Sequence, residues 1–284
     1  MSSKDKKKAL LVGIGKWGEV LANILIKKGY QVSYVSRDKT QKLSFEMKFK
    51  SNFIKLFSCN DEIIFDLVVI AVQPKDFYGA WKEYKIYSKK FLIEKPGALN
   101  KKEIQKIFLE AFKEGKSILI NYEYIYTEET RLLLDKLIEK KEDIEEIVII
   151  WEKKLYKNGN LHWRLLPHLI ADLIVISQEN LFFTKSQIKE NSIKLMGRII
   201  NANFKIEFND KEKTFYQNKI RLSNKKVFVK ERNKLLLCDK VIYNKNVLSV
   251  DKMIDLSQNA SKEIIDSNNK LATDVLSVID KINV

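Results

Sequence analysis

The sequence predicts an α/β domain built on a parallel sheet, followed by an α+β domain with an open, mostly antiparallel sheet. In the first half, short apolar runs alternate with amphipathic stretches, which is typical of buried strands and covering helices. From about residue 192 to 250, short β-rich runs follow one another, with Asn, Asp and Lys turns between them and no long helix. We therefore expect two domains, at 1–120 and 121–284.

The first half is read in order as strand, helix and strand again. The apolar run at 9–15 predicts a strand, 16–29 a helix ending at Gly29, and 30–36 a second strand. Further strands are expected at 66–72, 90–97 and 117–124, and helices at 76–88 and 101–115. Repeated alternation of this kind is typical of a parallel sheet with helices on both faces.

The second half has a different pattern. Helices are expected at 127–141 and 167–178, with a long strand at 143–156 between them. The β-rich runs then predict an antiparallel sheet, and 260–282 a closing helix. No repeat and no Pro/Ser-rich linker separates the halves, so the second domain should follow the first directly.

Composition limits the class of protein. The 284 residues are 45% hydrophobic and 31% charged, which is typical of a globular chain. No apolar run approaches the roughly 20 residues of a membrane-spanning helix, and the run at 9–15 is too short for a signal peptide. Cys59 and Cys238 have neither metal-ligand spacing nor a disulfide framework. We expect a cytoplasmic protein without a membrane contact or a metal.

The formal net charge is +15, but its distribution does not indicate a nucleic-acid interface. Lysines are scattered along the chain and only six of the 52 basic residues are Arg, which is typical of solvated surfaces. Nucleic-acid binders more often concentrate their basic residues on one face, with aromatic residues for stacking. We expect no nucleic-acid partner, although a basic surface favours anionic ligands such as nucleotides and nucleotide sugars.

A glycine-rich turn follows the first predicted strand. Gly13, Gly15 and Gly18 have G-x-G-x-x-G spacing and open the first helix. Gly13 permits a tight turn, Gly15 permits close approach of a pyrophosphate, and Gly18 permits close helix–strand packing. The N–H groups at the start of the helix suit phosphates. The first domain is therefore predicted to be a Rossmann dinucleotide-binding domain, with Lys16 and Trp17 also in contact with the cofactor.

The end of the second strand bears on the choice of cofactor. NAD-binding folds usually carry Asp or Glu there for the ribose 2′-hydroxyl, whereas this chain has Ser36 followed by Arg37. A hydroxyl and a guanidinium suit a 2′-phosphate. Asp38 comes one or two residues late, but a loop could return it to the ribose. We expect NADP in preference to NAD.

Four segments in order resemble motifs of one family. They are "GIGKWGEVLANIL", "LVVIAVQPKDFYGAW", "KFLIEKPGALNKKEI" and "ILINYEYIYTEETRLLLDKLI". Together they resemble the glucose–fructose oxidoreductase/inositol dehydrogenase/rhizopine catabolism (Gfo/Idh/MocA) family, closely over 9–140 and more loosely beyond. The most specific match is the "EKP" of residues 94–96.

The resemblance implies a set of cofactor contacts and one catalytic group. Lys95 would lie beside the nicotinamide and assist hydride and proton transfer; a Lys in a partly dry cleft has a lowered pKa. The residues that it would place at the cofactor, besides the glycine-rich turn and the end of the second strand, are Val72, Pro74, Glu94, Lys95 and Pro96.

A second stretch resembles the family's substrate motif. Sugar-nucleotide members carry a W-D-L-G-P-H-D pattern, and Trp163, Leu165, Pro167 and His168 match it. Arg164 stands where the family has Asp, and Arg cannot accept a proton. His168 would be the acid/base opposite Lys95.

Asp172, four residues further along the helix, would hold the imidazole and count among the catalytic residues. Two alternatives stay open for His168. In the first it packs or caps at the start of a helix, with Asp172 as its partner in a buried polar pair. In the second the site has kept the fold and lost the chemistry. Arg164 is equally open, either an anion contact or a surface Arg whose stem covers the helix. The expected substrate contacts are Tyr122, Tyr126, His162, Trp163 and Arg164.

Together these features predict an NAD(P)-dependent oxidoreductase. It would transfer a hydride between the cofactor and a hydroxyl or keto carbon of a sugar or nucleotide sugar. Analogy alone suggests a place in surface-glycan biosynthesis. The alternative is a catalytically reduced relative that binds dinucleotide as a sensor or partner. The resemblance also implies a homo-oligomer through the C-terminal sheet.

Overall fold

A computed structural model of the chain describes residues 6–49, 54–57, 63–138, 144–154, 163, 165–178, 180–189, 192–199, 202–231, 234–244 and 249–282. The chain divides into two compact units. The first comprises Met1–Asn121 and Val250–Leu276, and the second comprises Tyr122–Ser249 and Ser277–Val284. This division differs from the predicted ranges 1–120 and 121–284 in one main respect, because Val250–Leu276 belongs to the first unit.

The first unit contains a parallel sheet, as predicted. Its six strands have the spatial order β3-β2-β1-β4-β5-β6, and every neighbouring pair is parallel. The strands are β1 Lys8–Val12, β2 Gln31–Val35, β3 Ile54–Leu56, β4 Leu67–Ile70, β5 Lys90–Glu94 and β6 Ser117–Asn121. All four residues of β4 are buried, which explains why this strand reads as one apolar run.

In the described part of this unit, four helices connect the strands, with short 3₁₀ segments beside the third. They are α1 Lys16–Lys27, α2 Lys39–Lys48, α3 Phe77–Tyr84 and α4 Lys101–Lys113, and the 3₁₀ segments are Pro74–Asp76 and Lys85–Tyr87. Gly29, just beyond α1, has φ of +83°, a conformation that glycine adopts at little cost and that stops the helix. The crossover order and the parallel strands are those of the predicted Rossmann architecture.

Two helices near the end of the chain, α7 (Ser249–Asn259) and α8 (Lys262–Ile282), explain the unexpected division. β6 is an edge strand, and the side-chain amide of Asn268 covers its exposed backbone. Ile120 N–H donates to Asn268 Oδ1 at 2.7 Å, and Asn268 Nδ2 donates to the Ile120 carbonyl at 3.0 Å. Lys90 Nζ also donates to the Gln258 carbonyl at 2.6 Å. An edge strand needs such cover, and residues remote in sequence supply it.

The second unit contains an eight-stranded sheet of order β14-β13-β12-β11-β7-β10-β9-β8. It is antiparallel except for the β7–β10 pair, which confirms the predicted mostly antiparallel sheet. The strands are β7 Ile144–Glu152, β8 Phe182–Lys189, β9 Ser192–Ile199, β10 Ala202–Asn209, β11 Phe215–Leu222, β12 Val227–Glu231, β13 Lys234–Leu237 and β14 Lys240–Asn244. Among the described residues, its longer helical segments are the 3₁₀ segment Glu123–Tyr126, α5 Glu128–Ile138 and α6 Leu166–Ser177.

The strand register sets the composition of the buried face of this sheet. Trp151 on β7 pairs with Tyr216 on β11 and with Phe208 on β10. Two residues along β11, Asn218 pairs with Lys230 on β12. Residues two apart point to the same face, so polar and aromatic side chains meet on a face that is otherwise apolar.

Three local predictions were wrong. The strand expected at 117–124 ends at Asn121, because the chain turns there into the 3₁₀ segment Glu123–Tyr126. Strand β8 was not predicted; most of its residues are exposed, so it lacks the apolar alternation that marks a half-buried strand. Helix α7 was also missed, although its apolar residues have helical spacing.

Candidate cofactor and substrate sites

The glycine-rich turn has the geometry that its spacing predicts. Gly13 has φ of +96°, and a Cβ built on it would lie 2.4 Å from the Ala71 carbonyl oxygen. A Cβ on Gly18 would lie 2.2 Å from the Gly13 carbonyl oxygen. Both positions therefore require glycine for backbone packing.

Gly15 differs from its two neighbours in the turn. A Cβ built on it would have no atom within 4 Å, so packing inside the protein does not explain this glycine. It is the N-cap of α1 and provides no side-chain cap. The open space above Gly15, together with the helix N–H groups, fits a phosphate group.

A pocket of about 330 Å³ lies beside this turn, between the first turns of α1 and α2. Its lining residues are Ile14, Gly15, Lys16, Glu19, Thr40, Gln41 and Ser44. It combines one cation, one carboxylate and two hydroxyls, which suits a polar ligand. The carboxylate of Glu19 accepts a hydrogen bond from Lys48.

Asp38, in the turn between β2 and α2, is the N-cap residue of α2. Its Oδ1 accepts hydrogen bonds from Thr40 N at 2.8 Å and Gln41 N at 3.0 Å, so it caps α2. Asp38 N donates in turn to Ser36 Oγ at 3.2 Å. Arg37 has 80% of its side chain exposed and only weak ion pairs, 3.9 Å from Asp76 and 4.0 Å from Glu83. Its guanidinium is therefore available to an anionic ligand.

Glu94 links two parts of the carboxyl edge of the sheet. Its Oε1 accepts a hydrogen bond from Trp17 Nε1 at 2.5 Å and another from Asn121 Nδ2. Burial raises the pKa of the Glu94 carboxyl, and the bonds from Asn121 and Trp17 and the nearby Lys95 charge oppose that shift. Sequence reasoning missed Asn121, although a polar residue closing an apolar strand was a usable signal.

The remaining residues predicted to hold a cofactor lie along the same edge. Lys95 is half-buried directly after β5, and Pro96 is buried. Pro74 begins the 3₁₀ segment after β4. Val72 Cγ1 lies 3.2 Å from the position of a Cβ on Gly13, which brings the loop after β4 against the glycine-rich turn. Strand ends are where open parallel sheets bind ligands.

In the second unit, four rings form an aromatic cluster: Tyr124, Trp151, His168 and Tyr216. The His168 ring centroid lies 4.9 Å from that of Tyr124 and 5.9 Å from that of Trp151. Tyr216 stacks on Tyr124 at 5.9 Å and meets Trp151 edge-on at 5.2 Å. Sequence reasoning found only His168, because the other three rings come from separate elements.

Asp172 has partners that the sequence did not indicate. Lys230 Nζ donates to Asp172 Oδ1 at 3.2 Å, and Asn218 Nδ2 donates to Oδ2, also at 3.2 Å. Lys230 Nζ also donates to Thr130 Oγ1 at 2.9 Å. Both charged side chains are about 2% exposed. A buried carboxylate is best matched by an ammonium, and Lys230 provides that ammonium for Asp172.

Three of the five predicted substrate residues lie among the described residues. Tyr122 is 1% exposed, its hydroxyl has no hydrogen-bond partner among the described residues, and burial raises its pKa. Tyr126 and Trp163 are half-buried. His162 and Arg164 lie outside the described residues.

The described ranges contain neither a metal-ligand group nor a membrane-spanning helix. There, no group of three or more His, Cys, Asp or Glu side chains is arranged to hold a metal ion. Among the same residues, none of the helices combines the length and the apolarity that a bilayer crossing requires.

A protein-family model matches part of the first unit. Residues 8–94 match the family described as "NADP oxidoreductase coenzyme F420-dependent", which is less than a third of the chain. A curated glycerol-3-phosphate dehydrogenase [NAD(P)+] from Limosilactobacillus fermentum is 36% identical over 59 residues. That match covers 20% of this chain and only 18% of the relative's length.

Solved structures resemble the whole chain. A 3-ketoreductase from Actinomadura kijaniata, in complex with TDP-benzene and NADP, has a TM-score of 0.77 at 12% identity, covering 98% of this chain and 97% of its own. The aldose-aldose oxidoreductase from Caulobacter crescentus has a TM-score of 0.75 at 11% identity, covering 98% and 96%. The UDP-N-acetylglucosamine 3-dehydrogenase from Acidithiobacillus ferrooxidans has 0.73 at 12%, also covering 98% and 96%. At these identities the likeness shows a shared fold.

Proposed function

We propose that this chain is an NAD(P)-dependent oxidoreductase of the Gfo/Idh/MocA kind. It transfers a hydride between a nicotinamide cofactor and a hydroxyl or keto carbon of a sugar or nucleotide sugar. The main supporting observation is the geometry of Gly15 at the start of α1. The space beside its Cα is open, so packing inside the protein does not explain why this residue is glycine. The dehydrogenases and reductases that share the fold support the reaction class, and surface-glycan biosynthesis stays an analogy.

The first unit would hold the cofactor. Its pyrophosphate fits the space above Gly15, where the first N–H groups of α1 are directed. NADP is favoured over NAD, because Arg37 is exposed and Asp38 is engaged as a helix cap. Lys16, Thr40 and Ser44 in the neighbouring pocket supply further polar contacts.

The chemistry would fall to Lys95 and His168. The cofactor supplies or accepts the hydride when it is bound. Lys95 would hold or release a proton at the reacting oxygen, as a half-buried amine next to the buried Glu94 can do. His168 serves as the second acid/base, and the ring contacts of Tyr124 and Trp151 fix its orientation.

The alternative function is a dinucleotide-binding sensor or partner protein without turnover. The observation that favours it is that the Asp172 carboxylate accepts hydrogen bonds from Lys230 and Asn218. Cofactor binding without oxidation or reduction of any sugar would support this alternative.

The quaternary structure and location are also proposals. We propose a homo-oligomer formed through the outer face of the second sheet, and a cytoplasmic location. That face carries alternating charges, such as Lys194, Lys205 and Glu207. Sedimentation equilibrium tests the oligomer; a monomer at high micromolar concentration would contradict it.

The test of the proposed function is a fluorescence titration with NADPH and NADH on Gly15→Ala. A methyl group there occupies the space reserved for phosphate without touching the protein, so we expect dinucleotide binding to weaken at least about tenfold with no loss of stability. Gly79→Ala, in the exposed part of α3 and equally open, is the matched control. Absence of binding to wild type would exclude the oxidoreductase function.

A further inference from the structure

Lys230 is a buried lysine whose ammonium group joins several elements of the second unit. It lies on β12 and is 1% exposed. Its Nζ donates to Asp172 Oδ1 at 3.2 Å and to Thr130 Oγ1 at 2.9 Å, and it lies 5.8 Å from the centroid of the Tyr216 ring. These partners belong to α6, α5 and β11, so one ammonium group connects three elements to its own strand.

The stability of the fold does not account for a lysine at this position. The cost of desolvating two charges offsets most of their attraction, and well-packed apolar residues of similar volume often stabilise a core as much or more. An ammonium differs from an apolar side chain in the direction of its contacts, because each N–H fixes the place of one acceptor. We therefore look for the role of Lys230 in the relative position of the elements that it connects.

In one direction, the hydrogen bonds lead to the helix that carries His168. Asp172 follows His168 by four residues on α6, so the two side chains lie on the same face of the helix, one turn apart. The second carboxylate oxygen of Asp172 accepts from Asn218 Nδ2 on β11 at 3.2 Å. With one oxygen bonded to β12 and the other to β11, the carboxylate holds this turn of α6 against the sheet.

In the other direction, the hydrogen bonds lead to the 3₁₀ segment that carries Tyr124. Thr130 is fully buried, and its hydroxyl accepts from Lys230 and donates to the Tyr124 carbonyl at 2.8 Å. The Tyr124 ring meets the His168 ring edge-on, with centroids 4.9 Å apart. The contacts of Lys230 thus lead in both directions to the same imidazole ring.

We propose that Lys230 is a positioning residue for His168. Its ammonium fixes α6 through Asp172 and fixes the 3₁₀ segment of Tyr124 through Thr130, and these two elements together fix the imidazole ring. An acid/base group works only when it is held in the orientation that the reaction requires. This inference rests on the proposed function for the role of His168, and it assigns the orientation of that ring to a lysine of the second sheet.

The experiment follows the imidazole C–H signals of the full chain by NMR, without cofactor or sugar, at a pH where both imidazoles are neutral. The chain has only two histidines, and His162→Gln assigns their signals. The neighbouring rings of Tyr124 and Trp151 shift the His168 signals from the positions that they have in the urea-unfolded chain. In Lys230→Met we expect these signals to move toward the unfolded positions, while far-UV circular dichroism stays native.

A second pair of variants tests the same link with a smaller change to the core. Thr130→Val removes the hydroxyl at nearly constant volume, so the bond from Lys230 and the bond to the Tyr124 carbonyl are both lost. The His168 signals should move in this variant as well. Thr130→Ser keeps the hydroxyl and should leave them at their wild-type positions.

A control separates positioning from a general loss of stability. Leu195→Ala removes a fully buried side chain of β9, outside the set of hydrogen bonds around Lys230. It should lower the urea midpoint, because it leaves a cavity in the core. The His168 signals should nevertheless stay at their wild-type positions.

Two results would overturn the proposal. The first is a set of His168 signals that stays at the wild-type positions in folded Lys230→Met and in Thr130→Val. The second is an equal movement of these signals in Leu195→Ala, which would show that any loss of stability displaces the ring. NADPH titration of the same samples distinguishes the two proposals. A wild type that binds no NADPH removes the proposed function and leaves the link from Lys230 to His168, whereas unmoved signals with intact NADPH binding remove the link alone.

Discussion

The indole N–H of Trp17 donates to the carboxylate of Glu94 at 2.5 Å and so ties the glycine-rich turn to the strand that precedes Lys95. Trp17 stands at the start of α1 and Glu94 at the end of β5, 77 residues apart in sequence. The bond holds two of the loops that would surround a cofactor in a fixed relation. It also keeps a carboxylate buried at the carboxyl edge of the sheet.

The first prediction concerns pH and Glu94. Burial raises its pKa above 4.5, so the folded chain binds this proton more tightly than the unfolded chain. The free energy of unfolding therefore falls as pH rises from the ordinary pKa to the raised one. Glu94→Gln lacks this titration, and its amide oxygen can still accept from Trp17. We expect the stability of the variant relative to wild type to increase between pH 4.5 and neutral pH, measured by urea unfolding; a constant difference would contradict this.

The second prediction concerns the buried Lys230–Asp172 pair. Lys230→Met or Asp172→Leu alone leaves an uncompensated buried charge and should cost about 3–5 kcal/mol of unfolding free energy. The double variant should cost less than either single one, because it leaves no charge behind. Urea unfolding of all four proteins completes the double-mutant cycle. Additive losses would show that the two charges do not interact.

The third prediction concerns the choice of cofactor. Arg37→Asp should weaken NADPH binding at least about tenfold while NADH binding changes little, since only NADPH carries the 2′-phosphate. Stability should be unchanged, because the side chain is 80% exposed. Fluorescence titration at fixed salt measures both affinities. Arg221→Asp makes the same charge change on β11 and is the control; equal loss in both variants would point to net charge alone.

The fourth prediction separates the two possible tasks of Asp38. Asp38→Asn keeps a capping oxygen and should leave both stability and NADPH affinity close to wild type. Asp38→Ala removes the bonds to Thr40 N and Gln41 N and should cost about 0.5–2 kcal/mol. A selective loss of NADH binding in Asp38→Asn would instead assign this carboxylate to the ribose.

The fifth prediction concerns Lys95. With whichever sugar the wild type turns over, Lys95→Ala should lower kcat about 10²- to 10⁴-fold and leave the NADPH Kd within about threefold. Stopped-flow single turnovers measure the chemical step directly. Lys102→Ala, an exposed lysine of α4, is the control and should retain full activity. A parallel loss of NADPH affinity would make Lys95 a binding residue.

The features predicted well from sequence are those that local geometry dictates. Gly13 and Gly18 cannot carry a side chain in this turn, so their spacing reports the fold directly. The apolar runs of the first unit are buried strands with few alternatives. Prediction of the first sheet and of the glycine-rich turn therefore needed only neighbouring residues.

The features that were missed depend on partners remote in the chain. Lys230 is buried on β12, where it contacts Asp172 of α6, 58 residues away in sequence. The sequence of β12 alone would predict that Lys230 is a solvated surface residue, although Phe228 lies on the same face of the strand. Asn268 and Ile120 are 148 residues apart, and no local pattern connects them. Long-range pairing of this kind is fixed by topology.

The pairing of Asn268 with Ile120 also has a consequence for synthesis on the ribosome. Since translation proceeds from the N-terminus, all six strands of the first sheet leave the exit tunnel while residue 268 has yet to be made. Until then the backbone N–H and carbonyl of Ile120 on β6 lack their Asn268 partner and can pair with a strand of another chain. The nascent first unit is therefore prone to aggregation for the time that translation of the second sheet takes. A chaperone that covers β6 would act during that time.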